Sequence, residues 1–123
     1  MTESKHRVFT GLAVLLGLLM IAGGATKLLG QSAQVVAFKA WGLPPWFRAL
    51  VGTFEVIGGT FLVVPLSRPF GSFILSTIMV GALWAHAAHG EWPSLIPPAA
   101  LLTLFLMILR RNREGAIRLL GSM

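Results

Sequence analysis

The stretch FRALVGTFEVIGGTFLVV, Phe47 to Val64, decides what kind of protein this is. It has the apolar character and nearly the length of a helix that crosses a bilayer, for which about 20 residues rising 1.5 Å each are needed. Glu55 nevertheless sits near its middle. A carboxylate at that depth costs about 2.5–3.5 kcal/mol on insertion scales, so it faces a partner, a cavity or a ligand rather than lipid. Gly52, Glu55 and Gly59 recur at three and four residues, and this narrow face lets another helix or a flat ligand come close to the carboxylate.

Three further apolar runs flank this one, Val8 to Leu29, Phe70 to Ala88 and Ser94 to Leu109. The expected fold is all-α, an integral membrane four-helix bundle forming a single domain over residues 1–123, because the connections are too short to hold a separate soluble unit. Composition agrees: 55% of residues are hydrophobic and 11% charged, and the mean hydropathy is +0.80, far from an ordinary soluble domain. The chain has no cysteine, which excludes disulfides, thiol catalysis, iron–sulfur ligation and thiolate zinc sites within it. Any electron chemistry then belongs to a bound cofactor or a partner.

The net charge of +6 follows topology rather than a nucleic-acid surface. Lys5, Arg7, Arg68, Arg110, Arg111, Arg113 and Arg118 fall on one side, and Lys27, Lys39 and Arg48 on the other. The positive-inside rule puts both termini in the cytoplasm of a cell with these spans in its inner membrane. A cleaved signal peptide ending near Ala22, Gly23 and Gly24 is the rival for the first run. That run is long for a signal and continues to Leu28 and Leu29, so the glycines read better as close helix packing.

Between the first two spans, Gly30 to Trp46 carries Val35, Val36, Phe38 and Trp41 among polar residues, which predicts a short interfacial helix anchored by Trp41 and Trp46. Pro44 and Pro45 end it and open the second span. Pro97 and Pro98 fall in the first turn of the fourth, where proline is tolerated. The tail from Arg110 to Met123, with Ile117, Leu119 and Leu120 beside Arg113 and Arg118, suits a basic cytoplasmic segment on an anionic leaflet.

Depth arithmetic collects the polar residues. Lys27 lies within a turn of the outer end of the first span, Glu55 about 12 Å below the outer end of the second, and His86 about one turn below that of the third. These three form the expected site, an outer-leaflet polar pocket with Glu55 and His86 as proton-handling candidates and Lys27 as a ligand donor. Trp84 and His89 are kept as ligand contacts, although Trp84 and Trp92 also suit interfacial anchors. A plain structural reading stands beside this, in which Lys27 and Glu55 neutralise each other and His86 donates to a carbonyl or a water. His86, His89 and Glu91 fall short of a convergent metal set, so no metal is expected.

GATKLLG at the end of the first span, FKAWGLPPWFRALVGTFEVIGG from Phe38 to Gly59, and IMVGALWAHAAHG from Ile78 to Gly90 together resemble the DoxX family of small four-helix membrane proteins, in its shorter DoxX-like form. The resemblance implies an integral inner-membrane protein, some of whose relatives are subunits linked to thiosulfate and quinone oxidation. It carries a site onto Lys27, Glu55 and His86.

Two function classes follow. In one, the chain is a quinone- or isoprenoid-binding subunit associated with an oxidoreductase, with no covalent cofactor and a membrane redox protein as partner. In the other, it is a non-enzymatic assembly factor or structural partner whose polar residues fix helix register. A transporter would need a homo-oligomer to wall a pathway, and the sequence has no internal repeat of the kind transporters carry.

Overall fold

The structure is a computed structural model that describes the backbone of residues 3–121 and the side chains of residues 4–112. Five α-helices follow one another: α1 Glu3–Leu28, α2 Ser32–Ala40, α3 Pro45–Val63, α4 Arg68–Ala88 and α5 Ile96–Gly121, the last preceded by a 3-10 turn, Trp92–Leu95. Four of them are long and apolar enough to cross a membrane, and no strand occurs among the described residues. The expected spans and the short helix between the first two are all present, and Ala22 to Gly24 lie inside an unbroken α1. The expected contacts of Arg113, Ile117, Arg118, Leu119 and Leu120 with a leaflet lie outside the described side chains. The backbone there continues α5 without a break.

The spans pack in sequence: α1 lies against α3, α3 against α4 and α4 against α5. Their shared core is Ala13, Leu16 and Met20 of α1, Leu62 of α3, Leu75 and Met79 of α4, and Phe105 and Ile108 of α5. Leu15, Leu18, Leu19, Phe73, Val80 and Leu106 point outward. Lipid tails are as apolar as these side chains, so such exposure carries no penalty in a bilayer. The start of α1 and the end of α5 share one end of the bundle with the α3–α4 turn. The opposite, distal end holds α2 and the α4–α5 connection.

Helix endings differ in a way that matters for the site. Helices α1, α2 and α4 each stop in a glycine with positive φ, Gly30 at 69°, Gly42 at 74° and Gly90 at 68°. Each shows the paired backbone bonds of a Schellman cap, for example Gln31 N–H to Thr26 O at 3.1 Å with Gly30 N–H to Lys27 O at 3.3 Å. α3 has no such glycine and ends at Val63 before an extended Val64. Its last carbonyls are taken by Arg68, whose Nε donates to Leu62 O at 2.8 Å and whose Nη2 donates to Val63 O at 3.0 Å. A guanidinium at a helix C-terminus satisfies both the orphan acceptors and the negative end of the helix dipole.

Candidate functional site

The site is built by glycines that let α1 and α3 nearly touch. A Cβ at Gly24 would lie 2.5 Å from Gly52 O, and one at Gly59 would lie 2.6 Å from Gly17 O. Both contacts are with backbone, so these positions fix how closely the helices run. That proximity brings Lys27, in the last turn of α1, over the face of α3 that carries Gly52 and Glu55. Lys27 Nζ meets Glu55 Oε1 at 2.8 Å, the two side chains being 15% and 4% exposed. Glu55 Oε2 turns toward Gly23, where an added Cβ would stand 3.1 Å from it and within 4 Å of nothing else. The carboxylate thus meets Lys27 through one oxygen, and its second oxygen borders a notch left by a missing side chain.

Arg48, one helical turn into α3, donates from Nη1 to Lys27 O. Its guanidinium also lies against Gly30. It therefore ties the start of α3 to the end of α1 at the residue whose side chain reaches Glu55. Thr26 Oγ1 donates to Gly23 O at 2.7 Å and accepts from Gln34 Nε2 at 3.4 Å, which joins α2 to the same turn.

A second polar cluster closes the distal end. The Schellman turn at Gly90 folds Glu91 back toward α4, and Glu91 Oε1 accepts from His86 Nδ1 at 2.8 Å and from Trp41 Nε1 at 3.0 Å. The Trp41 and His86 rings meet edge to face, centroids 5.0 Å apart. These donors, His86 first and then Trp41, hold the Glu91 carboxyl below its ordinary value. His89 Nδ1 donates instead to Ala85 O at 2.7 Å. Trp84 is 68% exposed, along with Trp46 and Trp92 at the same end, the placement of an interfacial aromatic belt.

Of the expected site residues, the structure brings Lys27 and Glu55 into contact and bonds His86 instead to Glu91, with the Trp41 ring packed against it. α1 packs on α3 while α4 ends beside its own connection to α5, so the nearest acceptor for His86 is the acid five residues on. Glu91 and Trp41 were not among the sequence candidates for this contact. The signal was present in HAAHGE: a glycine ending the helix returns the next side chain over its last turn. Arg48 and Arg68, counted in the sequence only for topology, are helix caps. Among the described residues no three metal-ligating side chains converge.

Four apolar spans around an interhelical Lys–Glu pair, with a short helix over one end, define a small multi-pass membrane protein. The chain belongs to the DoxX-like family, which it matches over residues 11–108. No curated protein and no solved structure matches it.

Proposed function

We propose that this chain is a membrane subunit that holds a lipid-soluble carbonyl compound of the quinone or isoprenoid class beside Glu55 and serves a partner oxidoreductase. The observation that carries the reading is the buried ion pair and the notch beside it: Glu55 is 3% exposed and meets Lys27 through Oε1, while Gly23 leaves room at Oε2. A ligand hydroxyl, such as that of a quinol, seated in this notch would donate to Oε2. Lys27 has donors to spare for a ligand oxygen. Glu55 passes a proton, and His86 with Glu91 lies at the same end as a relay toward water. Electrons come from the partner or a cofactor it holds, because a chain without cysteine has no thiol or iron–sulfur redox group of its own. We take both termini as cytoplasmic. Burying Arg68 as a cap and Lys27 in an ion pair removes one cation from each side and leaves the excess on the terminal side intact.

A structural or assembly role is the second reading, favoured by the 2.8 Å Lys27–Glu55 contact between closely packed helices. The test is mass spectrometry of small molecules retained by the protein in native lipid discs. A quinone or isoprenoid kept by the wild type and lost from Glu55→Gln supports the ligand reading. Equal recovery from both, or none from either, overturns it in favour of the second.

A further inference from the structure

A groove of about 340 Å³ opens at the distal end between α2 and the start of α3, lined by Val35, Phe38, Lys39, Leu43, Pro45 and Arg48. Its lining is divided. Val35, Phe38, Leu43 and Pro45 are apolar, whereas Lys39 and Arg48 carry full positive charges. No carboxylate among the described side chains neutralises either cation: Glu55 pairs with Lys27, and Glu91 is engaged by His86 and Trp41. Arg48 uses one Nη1 proton on Lys27 O, which leaves donors of its fork for a second acceptor. The N-terminal end of α3 reaches the groove at Pro45 and adds the positive end of a 19-residue helix. The groove lies where the spans end, which in a bilayer is the level of the headgroups.

From these features we infer that the groove binds one acidic phospholipid of the leaflet on the α2 side, its phosphate between Lys39 and Arg48 and the upper acyl segment against Val35, Phe38 and Leu43. Two cations over an apolar floor match an amphiphile that is anionic at its head and oily below it. A zwitterionic lipid offers the same chain but no net charge, and free phosphate offers the charge but no chain. The inference is independent of any ligand at Glu55, since none of the groove residues touches that carboxylate.

The experiment is native mass spectrometry of the full chain released from micelles doped with either dioleoyl phosphatidylglycerol or dioleoyl phosphatidylcholine. The wild type is expected to retain at least one phosphatidylglycerol beyond its phosphatidylcholine count. Lys39→Glu should lower that retention about fivefold or more, given the ~1 kcal/mol that a basic residue near an anionic surface contributes. Lys39→Arg should restore it, and Val35→Trp, which fills the groove without changing charge, should also lower it. Helical circular dichroism checks that each variant is folded. Equal retention of the two lipids, retention unaffected by both Lys39→Glu and Val35→Trp, or displacement of the lipid by millimolar inorganic phosphate would each overturn the inference.

Discussion

The two ends of this bundle solve the same packing problem with different chemistry. Toward the terminal end, Ala13, Leu16, Leu62, Leu75, Phe105 and Ile108 are almost wholly buried against one another. Arg68 on the last α3 carbonyls adds polar contacts there, whereas toward the distal end polar side-chain contacts join neighbouring elements beside the glycine packing: Lys27 to Glu55, Arg48 to Lys27 O, Gln34 to Thr26, and Trp41 with His86 on Glu91. Apolar packing in lipid rests on dispersion and shape, because removal from water provides no driving force there. Polar contacts add direction, since each donor accepts few partners and geometries. The terminal half therefore holds the helices together, and the distal half sets which residue faces which. That division also leaves the distal half with titratable groups able to meet a ligand.

Removing one member of the ion pair gives the largest expected effect, and it is asymmetric. Lys27→Met leaves a short carboxylate near mid-depth with no cation, and we expect a loss of about 3 kcal/mol in reversible unfolding in micelles. Glu55→Gln should cost clearly less, because Lys27 lies in the last turn of α1 and its long side chain can straighten toward the headgroups. Combining Lys27→Met with Glu55→Gln should recover most of the loss. Equal costs for the two single substitutions would break the comparison, for they would mean that depth does not govern the distal contacts.

The glycine contacts come next. Gly59→Ala places a methyl 2.6 Å from Gly17 O on a facing backbone, so α1 and α3 must separate, at a cost of about 1–3 kcal/mol by the usual scale of overpacking. Gly81→Ala, where a Cβ meets nothing within 4 Å, is the control and should be neutral or slightly stabilising, since alanine favours helix. Disulfide crosslinking between cysteines placed on α1 and α3 should weaken for Gly59→Ala and not for Gly81→Ala. The same separation should disturb Lys27–Glu55, which would link the two ends through one helix pair.

What the sequence made legible follows this division. Four spans, the short helix before Pro44 and the placement of Pro97 and Pro98 at a helix start were all readable, because length, hydropathy and proline act locally. The Lys27–Glu55 contact was readable as well: a carboxylate at that depth needs a partner, and the small residues around it say where a helix comes close. The assignment of His86 was not, since depth alone puts it level with Lys27 and says nothing of lateral order. Only the packing of α4 against α3 and α5, and the turn at Gly90, give it Glu91. Arg68 escaped notice for a related reason, as a basic residue in a short turn reads equally as a topology signal and as a cap. The absence of glycine after Val63 was the clue that separated the two.

The smallest effect concerns the exposed cluster at Glu91. Its carboxyl lies below the ordinary 4.5 because His86 and Trp41 donate to the ionised form. The contribution of this contact is therefore fully present above the unfolded-state value and is lost as pH falls through the lower, folded one. Only the carboxylate accepts both donors well, so protonation should release Trp41 and with it the end of α2, while the terminal core is indifferent. Hydrogen-exchange protection of α2, corrected for the intrinsic pH dependence of exchange, should drop on acidification below the ordinary carboxylate range, whereas protection around Leu75 and Phe105 stays constant. Glu91→Gln should show the weakened α2 protection already at neutral pH and little further change on acidification. If α2 in Glu91→Gln keeps wild-type protection at neutral pH, the Trp41 contact does not restrain the short helix, and the distal end is ordered by Arg48 and Gln34 instead.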